Sequence, residues 1–291
     1  MADEAVRIER LTNVPQYHEC EALQQRIWGL AEIDVVPLHL MITAQRNGGL
    51  VLGAFDDHGT MIGFLLGFLG SSGDDPVRAK HCSHMMGVLP EWRGRSIGYR
   101  LKLAQREFVC GRQGLDLVTW TYDPLESRNA ALNIGKLGAL CSSYLRDLYG
   151  PMKDALNAGL PTDRFRVDWW VSSRWVARRI AGEISTPSVE QLLQQRGQPL
   201  NPATIGAGGL PWPCPAVRLP DAEAVIVEIP SDIGTIKATD AALASQWREQ
   251  TREVFEACFA AGYTATGFST QRSTDDVRRS YYTLSCSFEV M

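Results

Sequence analysis

The stretch from His84 to Cys110, HMMGVLPEWRGRSIGYRLKLAQREFVC, constrains the fold more than any other in this chain. Met85-Met86-Gly87-Val88-Leu89 is an apolar run suited to a strand, and Pro90, which has no N–H to donate, stops the ladder. Arg93-Gly94-Arg95-Ser96-Ile97-Gly98 comes next, and Leu101, Leu103, Ala104 and Phe108 then mark a long helix. Strand, Gly- and Arg-rich turn, helix: this order brings free backbone N–H groups and the positive end of the helix dipole to one point. Such a point binds a phosphate. The competing reading of the same residues is an ordinary strand-to-helix turn with an exposed basic edge.

The neighbouring segments fall in a definite order. Val6 to Leu11 alternates as a short strand, and helices are predicted from about Pro15 to Trp28 and from Pro37 onward, the second closed by Asn47-Gly48-Gly49. Leu50–Phe55 and Met61–Leu69 read as strands joined by the turn Asp56-Asp57-His58-Gly59, with a polar loop at Ser71 to Pro76. After the central helix, Leu115–Tyr122 is a strand ended by Asp123-Pro124, and Asn129–Leu137 a short helix closed by Gly138. Cys141–Leu148 and Phe165–Val171 are two further strands, joined by a long loop around 157–161.

This order, together with the turn at Arg93 to Gly98, resembles the GNAT superfamily, the acyl-CoA-dependent N-acyltransferases, whose pyrophosphate loop reads Arg/Gln-x-x-Gly-x-Gly/Ala. The resemblance runs from about Val6 to Ser173. It implies an α/β fold with a mixed, mostly antiparallel sheet flanked by helices. It also implies an acyl-CoA co-substrate whose pyrophosphate sits on Arg93, Gly94, Arg95, Ser96, Ile97 and Gly98, with pantetheine held by main-chain groups around Met86 and Val88. Asn129, followed by Ala130 and later Gly138, matches the segment beside the pantetheine arm; a helix cap is the alternative for Asn129. Two positions depart from the pattern. Ser96 stands at the first motif glycine, where it is expected to take the negative φ of a helix start and offer its hydroxyl to a phosphate. Ile134 stands where the family often places the tyrosine that protonates the leaving thiolate.

Acyl transfer from a thioester to an amine needs a docked acyl-CoA, a donor for the developing oxyanion, a route for the amine's proton and a source of a proton for the thiolate. His84 is the candidate base, against a packed strand histidine; Asp123 and Glu126 are further candidates, each against a solvated loop end. Tyr144 and Tyr149, read as lying on the strand after the short helix, are candidate acids, against core or rim packing. Asp163-Arg164 reads as a surface pair or a contact for an acceptor carboxylate. His81, Cys82 and His84 do not make a zinc site, because strict alternation puts Cys82, His84, Met86 and Val88 on one face and His81 on the other. No metal is expected. Trp169, Trp170 and Trp175 read as packing.

Of the 291 residues 45% are hydrophobic and 21% charged, and the net charge of −4 argues against a nucleic-acid coat or a basic membrane-surface protein. Seven cysteines without C-x-x-C spacing read as reduced thiols, and the acidic, polar MADEAVRIER does not read as a secretory leader, so a cytoplasmic location is expected. The predicted organisation is a GNAT-like acyl-CoA-binding domain over 1–181, a linker with a short helix near Val189–Gln195 over 182–220, and a C-terminal β-α-β module over 221–291. That module joins a strand Ala224–Ile229, a helix Asp240–Ala261 and a strand Tyr281–Val290; its small core is expected to pack on the first domain or on a second subunit of a homodimer. The resemblance implies transfer of acetyl, or of succinyl, from CoA to a small amine such as an amino acid. The alternative is a non-catalytic CoA-binding protein with a regulatory or assembly role.

Overall fold

The computed structural model describes residues 5–72, 75–152, 158–196, 199–206, 208–215, 218–219, 222–272, 277–286 and 288. The chain divides into two compact units, Met1–Trp120 with Trp170–Ser172, and Thr121–Trp169 with Ser173–Met291. The division falls inside a strand near residue 120, not in the 182–220 segment read as a linker.

The first unit holds β1 (Arg7–Arg10), α1 (Val14–Trp28), α2 (Leu38–Arg46), β2 (Leu50–Phe55), β3 (Met61–Ser72), β4 (Asp75–Val88), α3 (Ile97–Phe108) and most of β5 (Leu117–Tyr122). Local chemistry sets these bounds. The Asn13 side chain accepts from the Gln16 N–H to start α1, Pro15 fits its first turn, and Gly29 at φ 68° ends it. The β2–β3 turn is closed by Asp56, whose Oδ1 accepts from the N–H groups of His58 (3.0 Å) and Thr60 (2.8 Å). β1 to β4 pair antiparallel in chain order, and β5 adds parallel to β4. All six residues of β2 are buried, and Leu23, Met41, Phe64, Leu65 and Leu101 share its core. Each buried Leu, Val, Met or Phe side chain among them contributes roughly 1.5–3 kcal/mol.

The second unit begins with the end of β5 and α4 (Ser127–Ala130), which runs on through a π-helical turn to Lys136. β6 (Leu140–Leu145), β7 (Arg164–Trp170), α5 (Arg174–Ile180), α6 (Val189–Arg196), β8 (Ala203–Ile205), β9 (Pro211–Pro213), β10 (Ala224–Ile229), α7 (Ile233–Thr239), α8 (Ala241–Ala260), β11 (Tyr263–Arg272) and β12 (Arg278–Cys286) follow. β8 and β9 form a separate antiparallel pair, and the other strands lie in the order β7-β6-β11-β12-β10, all antiparallel. α8 seats Phe255 against Phe165 of β7 (ring centroids 4.7 Å apart) and Tyr282 of β12 (5.3 Å). Asp240 caps α8 through its side chain, which accepts from the Leu243 N–H. The C-terminal module is not a bare β-α-β: it also holds α7 and β11, and β11 pairs along the whole of β12. The predicted strand end at Val290, the loop residue Asn157 and Gly73-Asp74 of the predicted loop lie outside the described residues.

The element order through β7 is the order read from the sequence, and the sheet is mixed, mostly antiparallel and flanked by helices.

Candidate functional site

The centre of the first unit is a break in β4. Ser83 lies opposite Gly67 and Met85 opposite Leu66, so two steps of β4 face one step of β3 and His84 is the extra residue of a bulge. The strict alternation assumed for Cys82, His84, Met86 and Val88 is therefore broken. Ser83 and Gly87, four apart, would share a face in a regular strand. Instead the Ser83 hydroxyl meets α3, while a Cβ on Gly87 would meet Ile27 and Trp28 of α1. At the same point the parallel ladder to β5 stops, after His81 opposite Val118 and Cys82 opposite Thr119. From Ser83 to Val88, among the described residues, β4 keeps β3 as its partner and forms no pair with β5. Unpaired backbone at a sheet edge is a template for a ligand with amide groups of its own.

Beyond Val88 the chain turns into α3 through Gly94 at φ 84° and Ser96 at φ 58°. Ser96 is thus left-handed, not in the negative φ of a helix start, and holds the conformation a motif glycine would take freely. Its side chain makes no cap bond to the first-turn N–H groups of α3. Arg93 and Arg95 are exposed on either side. The Arg93 Nε donates to the Val88 carbonyl (3.2 Å), so one of the main-chain groups assigned to pantetheine is already engaged. The Arg95 guanidinium lies over the Trp92 ring, 4.5 Å from its centroid. Ile97 is buried, Gly98 and Met86 half-buried. This geometry can hold a polyanion against the helix end.

His84, the candidate base, is exposed with its ring 5.8 Å from that of Phe68; nearby groups still crowd the imidazole enough to lower its pKa. His81 is wholly buried. Its Nδ1 is 3.0 Å from Gln113 Oε1, its Nε2 is unpartnered, and burial holds its pKa down to about 4. That Nε2 lies where a side chain on Gly67 would be, 2.1 Å from a Cβ built there. Sequence reasoning passed over Lys102, which is buried in α3 with Nζ 2.8 Å from Ser83 Oγ and 3.1 Å from Gln105 Oε1. A separate cleft of about 510 Å³ lies among Arg10, Asn13, Tyr17, Ile42, Gln45 and Arg46; none of its lining belongs to β4 or the Arg93–Gly98 turn.

The other candidates lie in the second unit. Tyr144 is on β6 and donates to Asp163 Oδ2 (2.7 Å), and burial raises its pKa. Tyr149 is not on that strand; it lies past its end, exposed, with its hydroxyl 2.9 Å from Thr121 Oγ1. Asp163 is fully buried rather than a surface residue. It accepts from Arg252 Nε (2.7 Å) and Nη2 (3.0 Å) and from the Asp147 N–H (3.0 Å). Burial pushes its pKa up, but those donors outweigh it and hold the carboxyl below its usual range. Asp123 is no solvated loop end: it pairs with the buried Arg248 and lies 3.8 Å from Arg164. Glu126, half-buried with Asp123 nearby, is pushed up to about 7, first by burial and then by that like charge. Asn129 lies inside α4 and does not cap it, and Ile134 is wholly buried. The Trp169 and Trp175 indoles donate to the Leu137 and Gly138 carbonyls, as packing residues do. Among the described residues no three His, Cys, Asp or Glu side chains gather as a metal site.

No family model matches the chain, and no curated protein sequence matches it. Solved structures do. The chain is similar to GNAT N-acetyltransferases. NAA60 of Arabidopsis thaliana, in complex with a bisubstrate analogue, is 14% identical over 57% of this chain and 98% of its own, with a TM-score of 0.47. An acetyltransferase of the GNAT family from Streptococcus pneumoniae is 12% identical over 56% of this chain and 98% of its own (TM-score 0.45). The ribosomal-protein-S18-alanine N-acetyltransferase of Escherichia coli is 14% identical over 58% and 95% (TM-score 0.44).

Proposed function

We propose that this protein transfers an acyl group, acetyl in the simplest case, from acyl-CoA to an amine by direct attack of the amine on the thioester. The observation that supports it most is the coincidence of three breaks in one segment: the bulge at His84, the end of the β4–β5 ladder after Cys82, and the uncapped start of α3 beyond Arg93 to Ser96. In this reading the free edge of β4 pairs with the amides of the pantetheine arm. The α3 end, with Arg93 and Arg95, holds the pyrophosphate. A small amine, a peptide amino terminus and a protein lysine share the same nucleophile, and the acceptor is one of these.

Calorimetric titration with acetyl-CoA, succinyl-CoA and free CoA tests the docking. Micromolar-range affinity is expected, weakened at least ~10-fold in the Arg93→Ala/Arg95→Ala double variant, since each lost charge-assisted contact is worth roughly 1.5–3 kcal/mol. Equal affinity in the variant, or no binding to the wild type, defeats the proposal. A second reading draws on Ile134, whose wholly buried aliphatic side chain fills the position of the family's acid. In that reading the protein binds CoA without catalysis. Thiol release with amine present then separates the two, because a binding module shows none with small amines or peptides.

A further inference from the structure

Beside the free edge of β4 lies a polar group that the docking of acyl-CoA leaves unused. Lys102 on α3 is enclosed, with Nζ 2.8 Å from Ser83 Oγ, 3.1 Å from Gln105 Oε1 and 3.7 Å from the centroid of the Trp120 ring. From β4 it faces Ser83 and the neutral His81, from its own helix Gln105, and from β5 Trp120. No carboxylate pairs with it among the described residues. An ammonium buried without a counterion is unfavourable, and burial alone lowers the amine's pKa to about 7.

The three neighbours satisfy both protonation states. As an ammonium, Lys102 donates to Ser83, to Gln105 and to the indole face. As a neutral amine it donates to Gln105 and the indole and accepts from the Ser83 hydroxyl, so only that hydroxyl has to turn. A group that gains and loses a proton while only one neighbouring hydroxyl turns is suited to general base work. Ser83 sits where β4 parts from β5. It is the first residue of β4 past the ladder with β5 and the last before the bulge.

Building on the acyl-transfer reading, we infer that Ser83 and Lys102 form a Ser–Lys dyad that takes up the proton of the attacking amine. The amine nitrogen bonds to the thioester carbon. Its proton passes to Ser83 Oγ as the hydroxyl's own proton passes to Lys102 Nζ. As the tetrahedral adduct collapses, the C–S bond breaks, and the proton held on Lys102 returns through Ser83 to the CoA thiolate. Amide and free thiol leave, with both residues restored.

The test uses the full chain with acetyl-CoA and a panel of amines and peptides, measuring kcat, KM and thiol release from acid to alkaline pH. Wild-type kcat/KM is expected to rise along a limb centred near neutrality. Lys102→Met and Ser83→Ala should each lower kcat ~100-fold or more. Lys102→Met should also flatten the limb, while the acetyl-CoA Kd from titration stays unchanged. Ser83→Thr, which keeps the hydroxyl, should retain most of the rate. Ser83→Ala removes one oxygen, so it serves where Lys102→Met fails to fold. A carbon-13 titration of the lysine Cε signals supplies a readout that needs no turnover, and Lys102 is expected to titrate near neutrality. Variants that turn over like the wild type, or a Lys102 that titrates as an ordinary lysine, overturn the dyad and leave acyl transfer standing. A wild type that binds no acyl-CoA overturns acyl transfer itself, and the dyad's part with it.

Discussion

Lys102 makes the stability of the protein depend on pH in a way that can be worked out in advance. Its ordinary pKa is 10.5 and burial lowers it to about 7 in the fold. A folded-state pKa below the unfolded one means that the unfolded chain binds the extra proton over the interval between them. The stability contribution is therefore fully present above pH 10.5, is lost as pH falls, and is flat below about 7. At about 1.4 kcal/mol per pH unit, the whole interval is worth roughly 5 kcal/mol. Of this, roughly 2 kcal/mol falls between about pH 7 and 9. The assay is urea denaturation of wild type and Lys102→Met at several pH values, read as the difference between the two proteins. The difference matters because Cys20, Cys141 and Cys258, whose thiols are raised by burial, lose stability above the ordinary cysteine value of 9 and cancel only in the comparison. Near pH 7 the Met variant is expected to be more stable by about 2 kcal/mol, the desolvation relief less ~1 kcal/mol for each of the bonds that Lys102 donates to Ser83 and Gln105. The advantage should shrink toward alkaline pH. Parallel pH curves, or a variant less stable at every pH, would refute the argument that Lys102 is a buried amine without a counterion.

Three substitutions test other parts of the frame. Ser96→Gly removes a left-handed non-glycine residue and should raise stability by about 1 kcal/mol in the same denaturation assay, with acetyl-CoA affinity kept or improved; a loss of stability would show that φ 58° carries no strain. Gly67→Ala drives a Cβ to 2.1 Å from His81 Nε2, and the imidazole is held from behind by Gln113, so a loss of about 1–3 kcal/mol and a lower Tm are expected. An unchanged Tm would mean that His81 is free to swing away. Arg252→Met strips two bonds from the fully buried Asp163 and should cost about 3–5 kcal/mol, whereas a loss under ~1 kcal/mol would mean that water reaches the carboxylate.

What could be read from the sequence follows a physical line. Breaks with a local cause were legible: Pro90 ending a strand, Asp240 starting a helix, Asp56 closing a hairpin. Features set by a partner strand or helix were not. The bulge at His84 has no glycine or proline to announce it, because the extra residue is fixed by β3 and not by β4 itself. β11 was missed for a related reason: Tyr263 to Arg272 mixes small and polar residues, and becomes a strand by lying between β12 and β6. Lys102 shows the same limit on a helix. In the sequence, the apolar residues Leu101, Leu103, Ala104 and Phe108 mark α3 as a helix. The buried stripe is Ile97, Leu101, Lys102 and Gln105, running on to Val109. A spacing of four from Ile97 places Gln105 on that stripe, so the signal was present: a polar residue at a core position of the helix that follows the turn. Polar side chains are buried at a cost, and a fold carries that cost where their chemistry is used. The residues that break the amphipathic pattern of α3 are for that reason better guides to its chemistry than the residues that keep it.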